Sequence, residues 1–173
     1  PESPSFSLGW FPYNQGWIGA NIAADGSVID GSTNLPPAVS VGRTPAGTYT
    51  ITGLPLTGNL LAVSTGSAND NCATTGQVNG NWVVTTRDNN QSIEDGDFAF
   101  LYIPALAQRV LSGKVGAAAE FTPLNLDAAA VGVKSTQTTQ GYLLTFGDGS
   151  LINPSNTALF INADSNAGNG PDN

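Results

Sequence analysis

The 173-residue chain has no histidine, no methionine and a single cysteine, Cys72. Without histidine, Ser-His-Asp and Cys-His nucleophile systems and histidine-ligated zinc are excluded. One cysteine makes neither an intramolecular disulfide nor a cysteine-rich metal cluster. It reads as a small buried residue or as an intermolecular tether. Charge is scarce as well: Asp, Glu, Lys and Arg make up 10 % of the residues, against about 25 % in an average globular protein. The five bases, Arg43, Arg87, Arg109, Lys114 and Lys134, are scattered, and the net charge is −8 with a pI near 4.1. No basic patch faces a phosphate backbone or an anionic membrane surface, so nucleic acid is excluded as a partner. No apolar run reaches the roughly 18–20 residues of a membrane-spanning helix. Neither a glycine-rich dinucleotide fingerprint nor a Walker-type lysine motif occurs.

What fills the chain is β-forming sequence. Ala38–Val41, Thr48–Thr52 and Asn81–Thr86 alternate or carry β-branched and aromatic residues. Leu60–Val63, Phe98–Ile103 and Ala158–Ile161 are short continuous apolar runs, as expected of strands buried on both faces. Asp25-Gly26, Asp30-Gly31, Asn79-Gly80, Asp95-Gly96 and Asp148-Gly149 punctuate them as turns. Helix signals are few: a turn or two around Pro104–Leu111, and a second Ala-rich stretch at Asp127–Val131 beside β-like sequence. The expected fold is all-β, made of β-sandwich or jelly-roll-like units with little helix. Thr, Ser, Asn and Gly take the place of charge on the outward faces, a pattern of extracellular β proteins. The chain begins with Pro1 and carries no signal peptide, as a mature, processed or excised segment would.

An internal repeat divides the chain. Phe6–Pro12 aligns with Phe98–Pro104, Gly47–Gly53 with Gly141–Gly147, Leu60–Val63 with Leu159–Asn162, and Asp70-Asn71 with Asp172-Asn173, at offsets of 92, 94, 99 and 102. The steady drift is what loop insertions produce. Unit one spans residues 1–97, with residues 1–12 a strand that closes a preceding or neighbouring unit. Unit two spans 98–173 and stops where its final hairpin begins. The chain is therefore either a window on a longer array or a subunit that receives a strand from a neighbour.

The runs Gly47–Thr52, Leu60–Val63, Asn81–Asp88 and Asp97–Pro104 resemble the tandem β-sandwich repeats of large secreted and cell-surface bacterial proteins. A weaker likeness is to C1q-like jelly-roll tips of fibres. The resemblance implies a surface or extracellular-matrix module without chemistry of its own.

Three constellations are candidates for function. The tail places oxygen ligands at Asp164, Asn166, Gly168, Asn169 and Asp172, a spacing suited to calcium but lacking the closing bidentate acid of an EF-hand. The plainer reading of the same residues is a polar Asx/Gly turn. Tyr13 and Trp17, with the amides Asn14 and Gln15, are a stacking platform for polysaccharide. Phe6, Leu8, Trp10 and Phe11 form an aromatic strand expected either in the core or in assembly, docked between copies by strand addition. A glycosidase needs two carboxylates together; Glu94, Glu120 and ten Asp residues are available, and nothing in their spacing pairs them. Asn90-Gln91-Ser92 is a glycosylation acceptor triplet. The expected function is non-enzymatic: an extracellular structural or adhesive, self-assembling protein, or else a carbohydrate-binding module of a larger secreted protein.

Overall fold

A computed structural model describes residues 16–29, 33–66, 70–88, 90–107, 110–116, 118–139 and 141–147. The regular structure of the described residues is mostly strand, with one short helix, arranged as several antiparallel sheets. The strands in chain order are β1 (Ile18–Ile22), β2 (Ser40–Arg43), β3 (Thr48–Thr52), β4 (Asn59–Ser64), β5 (Asp70–Val78), β6 (Asn81–Asp88) and β7 (Phe98–Ile103). Then come β8 (Gly113–Val115), β9 (Phe121–Pro123), the helix α1 (Leu126–Val131), β10 (Lys134–Thr138) and β11 (Gly141–Thr145).

Two sheets form the main body. One has the order β1-β7-β4 and the other β2-β3-β6-β5. β7 is flanked by β1 and β4, and β6 by β3 and β5, so one arm of chain, β6 to β7, runs through the interior of both sheets. The hairpin β5–β6 turns at Asn79-Gly80, where both residues have positive φ, 49° and 76°. That is the type I′ geometry expected of Asn-Gly.

The inward faces of both sheets contribute to a single apolar cluster. β1 gives Ala20 and Ile22, β3 gives Tyr49 and Ile51, and β4 gives Leu60 and Ala62. β6 adds Trp82 and Val84, and β7 adds Phe98, Phe100 and Tyr102. The Tyr49 and Phe98 rings meet across the sheets with centroids 4.8 Å apart, tilted by 53°. The loop from β3 to β4 is tied down by three side-chain donors: Trp82 Nε1 to Pro55 O at 2.8 Å, Gln77 Nε2 to Leu56 O at 3.0 Å and Tyr102 Oη to Thr57 O at 2.5 Å. The outer edge of β1 is met by Asn34, whose amide works as a substitute peptide. It accepts from Gly19 N at 2.7 Å and donates to Trp17 O at 2.6 Å.

The continuous apolar runs differ from their expectation. In β7 the pattern is alternating: Phe98, Phe100 and Tyr102 point to the main core, while Ala99 and Leu101 face outward. In β4 the outward Val63 is 60 % exposed. A second cluster of Trp17, Ile103 and Ala107, with Leu61, Leu101 and Val110 against it, covers only part of that outer face. Thr74, Thr75, Thr85 and Thr86 are buried rather than lying on the surface. Hydroxyls among them are satisfied locally, as in Thr75 Oγ1 to Leu60 O at 3.0 Å and Thr86 Oγ1 to Glu94 O at 2.6 Å.

The helix lies at Leu126–Val131 and not at Pro104–Leu111, where the described residues form a turn closed by Ala107 N to Pro104 O. Local chemistry explains the choice. Asn125 caps the first turn by accepting from Ala128 N, and Gly132 leaves the helix in the left-handed region at φ 67°. Asn125 is itself buried, accepts from Ser112 N and donates to Ala107 O and Val110 O. One amide thus starts the helix and fixes the segment that precedes β8.

Of the internal repeat, only the match of Gly47–Gly53 with Gly141–Gly147 has both members described. The first contains β3, central in a four-stranded sheet with alternate residues buried; the second contains β11, in an exposed two-stranded hairpin. The other matches involve Phe6–Pro12, Leu159–Asn162 and Asp172-Asn173, outside the described residues.

Candidate functional site

A charged cluster sits where β6 crosses over to β7. Asp95 lies in that crossing and accepts from both edges of the β2–β3 turn: from Arg43 Nε at 2.7 Å, Arg43 Nη2 at 2.5 Å and Gly47 N at 2.7 Å. The bidentate guanidinium, reinforced by the Gly47 amide, holds the Asp95 carboxyl down at a pKa of about 2. In return the carboxylate raises Arg43. The sequence predicts a turn between strands at Asp95-Gly96; the fold makes it the corner between two sheets. Gly47 has to be glycine there. Its φ is +66°, and a Cβ would come within 2.5 Å of Glu94 O.

Neighbouring groups extend the same corner. Asp97 accepts from Ala24 N at 2.7 Å, and Tyr49 Oη donates to Ala24 O at 2.9 Å. Burial pushes the Tyr49 phenol upward. Asp25 accepts from Ser27 N within its own turn, and the Ser27 bonds lower its pKa. Ala24, Asp25, Arg43 and Asp95 line a shallow, open depression. Its charges are committed to one another and to backbone amides, so the corner works as a staple between the β2–β3 turn, the β1 turn and the crossing.

The acceptor triplet lies in a tight loop after β6. The Asp88 carboxylate accepts from Asn90 N at 2.8 Å and Ser92 N at 2.7 Å, and Asn90 is exposed. Among the described residues no group of three His, Cys, Asp or Glu side chains is placed to hold a metal ion, and no helix is long and apolar enough to cross a membrane.

The surface of different character is the hairpin β10–β11. Its ladder runs from Lys134 opposite Thr145 to Thr138 opposite Gly141. Ser135 anchors it by donating to Ala119 O. Tyr142 is 52 % and Leu143 54 % exposed, with Phe146 beside them at 38 %. Among the described residues no further strand pairs with the outer edge of β11.

Of the residues singled out from sequence, Trp17 is described and its ring is in the second core cluster, 4 % exposed. A ring so covered offers no face to a sugar, contrary to its expected place in a stacking platform. Tyr13, Asn14 and Gln15 lie outside the described residues. So do the assembly strand Phe6, Leu8, Trp10 and Phe11 and the calcium candidates Asp164, Asn166, Gly168, Asn169 and Asp172. The Asp95 corner escapes sequence reading because Arg43 and Asp95 are 52 residues apart. The only local signal is a glycine beside each partner. Comparison with protein-family models, curated proteins and solved structures finds no match to this chain.

Proposed function

We propose that this chain is a non-catalytic structural or adhesive module of an extracellular assembly, built from duplicated β-sandwich or jelly-roll-like units, that joins to copies of itself by strand addition. The observation that carries this reading is the hairpin β10–β11, which holds Tyr142 and Leu143 half exposed on a strand with no charge. Edge strands of monomeric proteins are normally guarded by charge, proline or a covering segment. The reading is also supported by how four of the described carboxylates are used. Asp25, Asp88, Asp95 and Asp97 each accept from backbone amides that shape a turn or corner. Such groups serve architecture.

Sedimentation velocity of the full chain over a concentration series, with electron microscopy of the most concentrated sample, tests the proposal. Species larger than the 17.7 kDa chain that grow with concentration are the expected result. A single monomeric species throughout the series refutes self-assembly.

A further inference from the structure

The geometry points to the outer edge of β11 as the contact through which two copies of this chain associate, pairing antiparallel about a two-fold axis at Leu143; the inference rests on the self-assembly reading above. The occupant is a second copy for three reasons. First, the strand Gly141–Thr145 is self-complementary. Antiparallel pairing centred on Leu143 sets Leu143 against its own counterpart, Tyr142 against Leu144 of the second copy, and Gly141 against Thr145. Residues directly opposite in such a pair share a face, so Leu143 meets Leu143 on one side and the aromatic–aliphatic pairs meet on the other. The two hairpins become one four-stranded sheet of order β10-β11-β11-β10.

Second, the charge distribution favours this edge. The chain carries −8, yet between Asp127 and Asp148 its only charged residue is Lys134. The hairpin holds no acidic residue, so two copies meeting there bring uncharged strands together without the repulsion that acidic side chains would add. Third, Tyr142, Leu143 and Phe146 are large apolar side chains exposed within five residues of one another. A contact this short buries less than the roughly 1,200 Å² of a standard interface, so association is weak and read at high concentration.

The experiment compares the full-length wild type with L143K and V63K by sedimentation equilibrium from about 1 µM to about 1 mM, a range that spans micromolar to millimolar affinities. Val63 is 60 % exposed on β4, so V63K controls for an added lysine elsewhere. L143K is expected to raise the dissociation constant at least tenfold, and V63K to leave it within twofold. If L143K does not fold, L143T keeps β propensity and serves in its place. Raising salt is expected to strengthen wild-type association, because it screens the overall repulsion while the contact itself is apolar. Hydrogen exchange of the β11 amides is expected to slow as concentration rises. Wild-type association that L143K leaves unchanged moves the contact elsewhere, overturning this inference while self-assembly stands. β11 protection that does not vary with concentration assigns the edge to another segment of the same chain and overturns it too. A chain monomeric at every concentration removes both.

Discussion

A carboxylate that accepts from a guanidinium and a backbone amide together is ionised in the fold at acidities where a free aspartate is not. Asp95 is in this position, with a pKa of about 2 against the ordinary 3.8. Because the folded value is the lower, ionisation favours the folded state. The contribution is complete above about pH 4 and is lost as pH falls through about 2. Substituting Asp95→Asn keeps the shape and removes the titration. At neutral pH D95N is therefore expected to melt below wild type, and the gap is expected to close as the buffer approaches pH 2. Circular dichroism melts of both proteins across that range check the sign. A gap that stays constant with pH would show that Asp95 contributes shape and not charge. Asn34 and Asn125 do related work without charge. Each amide both accepts and donates, so a single side chain replaces the pairing a neighbouring strand or turn would supply.

At the scale of elements, the turns carry most of the specification, and two glycines separate conformational from steric demand. Gly80 sits at φ +76° with open space where a methyl would stand, whereas at Gly53, φ +82°, a methyl would approach Ala38 O to 2.1 Å. G80A is expected to cost about 1–2 kcal/mol, the left-handed penalty alone. G53A must also push the start of β2 away and is expected to cost more than G80A. Denaturant midpoints of the two variants decide this; equal losses would mean that the chain at Ala38 yields freely. These elements also mark what the sequence makes legible. β3 and β7 can be read to the residue because their inward positions are large and apolar. β2, β4 and β6 can be read within two residues. β5 cannot, since its buried Ala73, Thr74, Thr75 and Gly76 are small or hydroxylated and look like surface until their partners are known. The helix falls on the weaker of the two helical signals because its decisive residue, Asn125, acts through Ser112 and Val110. Pairings of that kind are set by the fold, and no local pattern reports them.

For the whole molecule, the consequential feature is that β6 and β7 are one arm shared by two sheets over a common core. Sheets with separate cores could open independently. Here the faces of both sheets meet at Tyr49 and Phe98, so neither can lose its apolar surface without stripping the other. Phe98 is fully buried and belongs to the β1-β7-β4 sheet. Truncation to alanine is expected to cost about 3–5 kcal/mol, a large fraction of the roughly 5–15 kcal/mol that holds a typical domain together. The informative readout lies in the other sheet. If the shared arm makes the two sheets one cooperative unit, F98A lowers the opening free energy of the β3 and β6 amides by as much as that of the β4 and β7 amides, measured by native-state hydrogen exchange. If the losses are confined to β1, β4 and β7, the sheets are separate units and the corner at Asp95 is a hinge between them. The exposed hairpin β10–β11 makes no contribution to this core, so its amides are expected to exchange at the same rate in F98A and in wild type as long as each remains folded.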